Sequence, residues 1–234
     1  MKKTLVVMQP TVLPWAGYFN LMYSANDFIF FDDVQLEKSS WQTRNRLLLG
    51  GQAKWLSLPI VNSGLSQKIC DTQVKLDDQW FKKMHQLFRL NYSKHLYFND
   101  ADEIIQHFIQ HKDNSLASMN INTICFVAEH LELCPTIYRS SELQIEGVRT
   151  DRLVKLCNHF RAGTYLSPVG ATDYLAADGF TTKTSSSLVF QDFNPPPYPQ
   201  ANSKEFVSHL SIVDVVANLG WEKTRDYVTG TYKI

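Results

Sequence analysis

Two adjacent aspartates are the first feature of this sequence that could perform chemistry. Asp32 and Asp33 follow an apolar run, and Lys38 and Arg44 come soon after them in a short segment without helical periodicity. Paired carboxylates beside cations can hold a sugar hydroxyl, a metal-bound phosphate or a catalytic proton. We therefore treat Asp32, Asp33 and Lys38 as catalytic candidates, with Asp33 as the general base. A solvated strand end is the alternative interpretation of the two aspartates.

Aromatic, amide and cationic side chains form the second candidate feature, because together they can line a pocket for a small ligand. Arg44 has a planar guanidinium group that can donate two parallel hydrogen bonds to a carboxylate or phosphate. The tryptophans and Tyr18 could equally be ordinary core residues. The substrate-binding candidates are Gln9, Trp15, Gly17, Tyr18, Gln35, Trp41, Arg44, Asn45, Ser167, Tyr174, Tyr198, Gln200 and Asp214.

Histidine supplies one more acid–base candidate. His209 precedes the last predicted helix and is the histidine nearest to the predicted site. His107 and His111 have the i, i+4 spacing of a possible zinc pair, but a solvated helix face is the default interpretation of that spacing. We assign no metal ligands, and the sequence identifies no cofactor. It also lacks the dinucleotide fingerprint, the P-loop, H-E-x-x-H and G-x-S-x-G motifs.

The pattern of apolar residues predicts that these candidates are positioned by an α/β fold. Short apolar runs predict buried strands at 4–8 and 27–31, with a helix between them. Further strands are predicted at 136–138, 163–167 and 188–193, and further helices at 149–160, 173–177 and 212–219, the last ended by Gly220. Because ligands bind beyond the carboxyl ends of the strands in open α/β sheets, we expect the candidates to meet at one rim.

Two departures from strand–helix alternation are expected. Runs at 46–49 and 55–61 flank Gly50-Gly51 and predict a β-hairpin. Helical periodicity then dominates residues 76–133 approximately, which predicts a helical insertion. We interpret residues 1–234 as one α/β domain with a Rossmann-like, nucleotidyltransferase-like and mostly parallel sheet.

The composition excludes several classes of protein. With 23 Lys and Arg against 23 Asp and Glu, the 234 residues have no net charge, unlike general nucleic-acid binders. The four cysteines have no close partners, which is typical of a reducing compartment. The first apolar run stops at Gln9-Pro10, short of a signal peptide, and no run reaches the roughly 20 residues of a membrane span. We predict a cytoplasmic protein with a small-molecule substrate and no nucleic-acid partner.

Four separated motifs, in order, resemble the WbqC-like family. They lie at 8–19 (MQPTVLPWAGYF), 27–46, 165–175 and 190–214. The resemblance implies a bacterial or archaeal protein associated with O-antigen and other surface polysaccharides. Its substrate would then be an activated sugar or an acyl donor. The family often carries His-Pro before the final Tyr-x-Gln, whereas Pro195, Pro196 and Pro197 precede Tyr198 here. If that histidine is catalytic, this chain has lost it or uses another group, such as His209.

A more distant likeness concerns residues 11–18, which look like the phosphate-binding turn of cytidylyltransferase-type enzymes. The two histidines of that turn correspond to Pro14 and Tyr18 here. Their loss argues against nucleotidyl transfer by the same route, because the turn has no cationic donor for the developing phosphate charge. The turn could still bind a nucleotide or phosphate through the amides of a helix N-terminus.

Together with the candidate residues, the resemblance to the WbqC-like family implies an enzyme of surface-polysaccharide precursor synthesis. The expected activity is a transferase acting on a nucleotide-activated or amino sugar. Two alternatives stay open. One is a non-catalytic module that binds a sugar nucleotide or a partner, and the other is a nucleotidyltransferase-like enzyme without the paired histidines.

Overall fold

A parallel sheet forms the centre of the computed structural model, which describes residues 2–61, 64, 66–75, 77–110, 114–201 and 203–233. The strands are β1 (Thr4–Met8), β2 (Asp27–Phe30), β3 (Arg44–Leu49), β4 (Gln52–Ser57), β5 (Ile60–Val61), β6 (Gln73–Val74), β7 (Thr136–Arg139), β8 (Thr164–Ser167) and β9 (Ser187–Phe190). Five of them form one sheet in the order β7-β2-β1-β8-β9, with every neighbouring pair parallel. The predicted Rossmann-like α/β fold is confirmed.

The direction of the sheet's growth reverses beside its first strand. The chain adds β2 and β7 on one side of β1, then returns to add β8 and β9 on the other side. The carboxyl ends of β1 and β8 therefore flank the topological switch point, where open α/β sheets bind their ligands.

Helices cover both faces of this sheet because its central strands are apolar on both sides. Val6 and Phe28 face one core cluster, whereas Leu5, Val7 and Ile29 face the other. The helices are α1 (Ala16–Tyr23), α2 (Asp78–Tyr92), α3 (Phe98–Gln110), α4 (Leu116–His130), α5 (Ser140–Leu143), α6 (Arg149–His159), α7 (Thr172–Ala177), α8 (Phe180–Lys183) and α9 (Ile212–Thr229). Helices α1 to α4 and α9 lie on the first face, and α6 to α8 on the second.

Helices α2, α3 and α4 occupy most of the stretch where a helical insertion is predicted, and the single-domain interpretation stays a prediction. None of the helices within the described ranges combines the length and apolar character that crossing a membrane requires.

The predicted hairpin is present, but its second strand ends earlier than expected. Gly50 and Gly51 have φ angles of 61° and 75°, which suit a two-residue turn between β3 and β4. Beyond Ser57 the ladder stops at Pro59, which has no N–H to donate. Ile60–Val61 pairs instead with β6.

The last helix also differs from the prediction. Gly220 has φ 70° and ψ 175°, so it interrupts the helix as expected, but helical structure resumes and runs to Thr229. A Cβ at Gly220 would lie 2.6 Å from the ring of Tyr97. Gly220 therefore ends the first helical segment of α9, as predicted, and its lack of a Cβ allows the Tyr97 ring to approach closely.

Candidate functional site

Two cavities open at the switch point. The α1 cavity, of about 380 Å³, faces the start of α1, and the α6 cavity, of about 720 Å³, faces the start of α6. Met8 at the end of β1 and Pro168 after β8 line both cavities. The two spaces are therefore neighbours that share these two residues as a common wall.

Trp15 shapes the α1 cavity. Its indole lies directly on Gly17, where a Cβ would come within 2.0 Å of a ring carbon, so only glycine allows this packing. The His209 imidazole packs against the same indole at a tilt of 34°, with ring centres 4.6 Å apart. The ring centre of Phe193 lies 5.7 Å from that of Trp15. Trp15, Gly17, Tyr18 and His209, which come from opposite ends of the sequence, thus line one cavity, as predicted for a common rim.

Tyr18 contributes through its buried ring. Its hydroxyl group donates a hydrogen bond of 3.1 Å to the Gln9 carbonyl oxygen. Burial raises the pKa of this phenol well above its ordinary value, with a smaller contribution from Cys125. Tyr18 therefore stays protonated and acts as a donor that fixes the end of β1.

The loop that carries His209 is held by backbone contacts. Arg46 donates from Nη2 to the carbonyl oxygen of His209 at 3.2 Å. The Ser211 N–H donates to the Arg46 carbonyl oxygen at 3.0 Å, and the Ile212 N–H donates to that of Pro14 at 2.8 Å. His209 has a φ of 57°, a left-handed conformation that these contacts maintain.

Two glutamines lie on the polar side of the α6 cavity. Gln42 donates from Nε2 to Oε1 of Gln9, and its side chain is almost wholly buried. Asn120 on α4 donates from Nδ2 to the carbonyl oxygens of Pro10 at 3.2 Å and Gln42 at 2.9 Å. The helical layer therefore positions both glutamines. Trp41 and Arg149 also line this cavity.

Asn45 holds the loop between β1 and α1 from beneath. It is buried, and its Nδ2 donates to the carbonyl oxygens of Val12 and Leu13, both at 2.8 Å. Because this amide group is saturated by backbone, Asn45 positions the loop and does not line either cavity.

Asp32 lies outside both cavities, in a network of ion pairs. It is fully buried, and Nε and Nη2 of Arg139 both lie 2.8 Å from its Oδ2. The N–H of Ser141 donates to Oδ1 at 3.0 Å, and its hydroxyl group donates to Oδ2 at 2.9 Å. The carboxylate therefore joins the end of β2 to the end of β7.

Asp33 has a similar arrangement. Arg152 on α6 donates from Nη2 to Oδ2 at 2.6 Å, and the Ser140 hydroxyl group donates to Oδ1. Burial alone would raise the pKa of Asp33, but the hydrogen bonds from Arg152 and Ser140 and the Arg152 charge outweigh it and lower this pKa. The carboxylate is thus held ionised, and its proton affinity is reduced.

The cationic candidates line a different space. Lys38, Arg44 and Gln35 border a hairpin cavity of about 770 Å³. The Arg44 guanidinium group lies 4.2 Å from the ring centre of Trp55, which in turn packs against Trp41 at 5.1 Å. The hairpin therefore carries Arg44 away from the rim.

Asp214 is the centre of a buried polar cluster. Tyr92 and Tyr198 donate to its two oxygens at 2.8 and 2.6 Å, and Gln200 donates to Oδ2 at 3.1 Å. Burial raises the pKa of Asp214 and outweighs these hydrogen bonds, while burial and the nearby carboxylate raise the pKa values of both tyrosines. Tyr198 also borders a small cavity of about 180 Å³ that shares Trp15 with the α1 cavity.

The remaining candidates are Ser167, Tyr174 and the His107–His111 pair. Ser167 is fully buried at the end of β8 and donates to the Pro168 carbonyl oxygen at 3.3 Å. The Tyr174 side chain and His111 lie outside what the structure describes. His107 stacks on Phe126 with ring centres 4.2 Å apart. Over the described ranges, no three His, Cys, Asp or Glu side chains come together as metal ligands.

The structure therefore brings together only part of the predicted site. Gln9 lines the α6 cavity, Arg44 the hairpin cavity and Tyr198 the small cavity beside Trp15, while Asp33 lines none of the cavities described above. Sequence reasoning missed Gln42, Arg149, Arg139 and Arg152. The arginines had one available signal, because buried aspartates require cationic partners. No local pattern marked Gln42.

Comparisons with known proteins agree with this α/β architecture. A family model described as the WbqC-like protein family matches residues 9–226. A relative from Mycobacterium tuberculosis, an uncharacterized protein, is 28% identical over 222 residues, which cover 94% of this chain and 95% of the relative. No solved structure matches the chain significantly. The extent of the family match shows that the chain belongs to the WbqC-like family.

Proposed function

We propose that this WbqC-like protein is a cytoplasmic transferase acting on a nucleotide-activated or amino sugar during surface-polysaccharide precursor synthesis. The observation that carries this proposal is the pair of adjacent cavities at the switch point, which share Met8 and Pro168. A group transfer needs two substrates side by side, because proximity and orientation supply much of the rate enhancement. Two neighbouring cavities suit that requirement better than one enclosed pocket does.

His209 is the acid–base group of this proposal. Its ring packs against Trp15 in the α1 cavity, and Nδ1 lies 2.9 Å from the Ser208 hydroxyl oxygen. Its Nε2 has no hydrogen-bond partner within the described part of the chain and is free to contact a substrate. Asp192 lines the same cavity and can accept a hydrogen bond from a hydroxyl or amino group of the acceptor.

Asp32 and Asp33 have a positioning role in this proposal. Each is paired with an arginine and fixes the ends of β2, β7 and α6 around the rim. Lys38 and Arg44 border the hairpin cavity, outside the proposed transfer site.

The test combines binding with product analysis. Isothermal titration with nucleotide sugars and acyl donors should identify a ligand, and mass spectrometry of donor–acceptor mixtures should reveal a transferred group. His209→Gln should then reduce turnover by roughly 100-fold or more while substrate binding persists. His159→Gln is the matched control, because His159 is an exposed histidine at the far end of α6. Binding with unchanged ligand masses would instead support a non-catalytic module, and full activity of His209→Gln would remove the role of that histidine.

One observation favours a nucleotidyltransferase-like reaction as the second candidate. The turn at 11–18 lacks both histidines of the cytidylyltransferase type, yet the His209 ring packs against Trp15 of this turn and could donate a hydrogen bond to a phosphate. Release of pyrophosphate from a nucleoside triphosphate would support this reaction. No release with all common triphosphates and a panel of sugar phosphates would reject it.

A further inference from the structure

The Gln9–Gln42 pair borders the α6 cavity and leaves hydrogen-bonding capacity unused. Gln42 is only 4% exposed, and its Oε1 is buried without a hydrogen-bond partner among the described residues. The two amide groups share one hydrogen bond. Whichever way the amides are turned, this pair retains one acceptor oxygen and one donor nitrogen. An unpaired buried acceptor is unfavourable, so a ligand that donates to it gains binding free energy.

Hydrogen bonds hold the backbone on either side of these amides in place. Asn120 fixes the backbone at Pro10 and Gln42, and the Val12 N–H donates to the Trp41 carbonyl oxygen at 3.0 Å. The donor and acceptor are therefore preorganised before any ligand arrives, which lowers the entropic cost of binding.

The rest of the cavity is suited to a flat, weakly polar body with an anionic end. Its walls include Val7, Phe31, Val34, Trp41, Leu153 and Tyr165. Arg149 lines the same cavity, is exposed, and has no ion-pair partner within the described ranges. Glu37 is the other charged residue of the lining. An unpaired guanidinium group is well suited to hold a phosphate.

We propose that the α6 cavity binds the nucleoside phosphate half of the donor substrate. The base lies between the apolar walls and donates an N–H to the acceptor oxygen of the Gln9–Gln42 pair, while Arg149 binds the phosphate. This inference rests on the proposed function and deepens it, because it assigns the nucleotide to the α6 cavity and leaves the α1 cavity with His209 to the acceptor.

The experiment is isothermal titration of the full chain with UMP, CMP, AMP, GMP, ribose 5-phosphate and N-acetylglucosamine 1-phosphate. At least one nucleotide should bind about tenfold tighter than either sugar phosphate, the worth of a buried hydrogen bond with its stacking. Gln42→Met should reduce that preference without weakening the binding of ribose 5-phosphate, because it removes the hydrogen bond and keeps the apolar walls. Arg149→Met should weaken the binding of all phosphates. Gln52→Met makes the same change at the exposed hairpin and should alter neither the nucleotide preference nor the affinity for phosphates.

Several results would overturn the assignment. They are equal affinity for the nucleotides and ribose 5-phosphate, tighter binding of N-acetylglucosamine 1-phosphate than of every nucleotide, or an unaltered nucleotide preference in Gln42→Met. If Gln42→Met does not fold, Gln9→Met, at a less buried position, tests the same pair. Nucleotide binding with this pattern but without group transfer would refute only the transferase. Group transfer from a sugar nucleotide that Gln42→Met leaves unchanged would refute only the present inference.

Discussion

Replacing Asp33 with asparagine should destabilise the protein, because it leaves the Arg152 charge without its partner. Breaking a buried ion pair by removing one member costs about 3–5 kcal/mol. The Asp33 side chain is 18% exposed and that of Arg152 9%, so water recovers part of this cost. We expect a loss of about 2 kcal/mol in the free energy of unfolding, or roughly 4–8 °C in melting temperature for a domain of this size.

Urea unfolding at pH 7, with calorimetry for the melting temperature, measures this loss. Asp151→Asn is the matched control, because Asp151 pairs with Lys183 on the surface and its replacement should leave stability unchanged. Adding Arg152→Met to Asp33→Asn should recover part of the loss, since it removes the unpaired charge. Equal stability of Asp33→Asn and Asp151→Asn would refute the reasoning.

The pH dependence supplies an independent check of the same ion pair. The folded-state pKa of Asp33 is lowered, so its stabilising contribution is fully present above its unfolded pKa of about 3.9. That contribution is lost as pH falls through the lower, folded-state pKa. The stability difference between the wild type and Asp33→Asn should therefore be constant from pH 7 to 5 and decrease in more acidic solution.

Three further outcomes follow from buried contacts. Because the pKa of Asp214 is raised in the folded state, its buried charge disfavours folding as pH rises above about 4. In urea unfolding, the stability of the wild type relative to Asp214→Asn should therefore increase towards acid pH. A pH-independent difference would contradict this. Gly17→Ala should displace the Trp15 indole and alter the near-ultraviolet circular dichroism spectrum. Gly170→Ala should leave the spectrum unchanged, because Gly170 also lines the α1 cavity but a Cβ there meets no other atom. Equal spectra of the two variants would disprove the packing argument. Gly220→Ala should lower the melting temperature more than Gly230→Ala does. Both glycines have a positive φ, but only the Cβ at position 220 would contact Tyr97. Equal losses in melting temperature would show that the contact with Tyr97 does not destabilise Gly220→Ala.

The centre of the sheet could be predicted from the sequence because strands β1 and β2 are short, almost continuous apolar runs. Strands such as Thr4–Met8 are buried on both faces, and that local property is visible in the residues themselves. The rule that ligands bind beyond the strand ends then predicted that Trp15, Gly17 and Tyr18 lie at one rim, and the three residues line one cavity. These are expectations that depend on local pattern and on one general topological rule.

The remaining site could not be predicted, because it depends on distant pairings. Asp32 contacts Arg139, which is 107 positions further along the chain, and no local pattern indicates that pairing. Arg44 follows β2 closely in sequence, but the hairpin leaves the sheet and takes it to another cavity. Gln42 became a candidate only when its burial and its unpaired oxygen were known.

The hydrogen bonds between the two ends of the chain have a consequence for biosynthesis. Asn20 donates to the Val228 carbonyl oxygen, 208 positions later, and Pro14 accepts from Ile212. During translation, the turn at 11–18 leaves the ribosome long before these partners exist. The α1 cavity is therefore completed only after synthesis of the segment that carries Phe193 and His209, and the Trp15 ring lacks these contacts in a shorter nascent chain. Premature termination near residue 205 would produce a polypeptide that contains every strand of the sheet but lacks His209 and α9. Such a polypeptide would be a suitable target for chaperones and proteases.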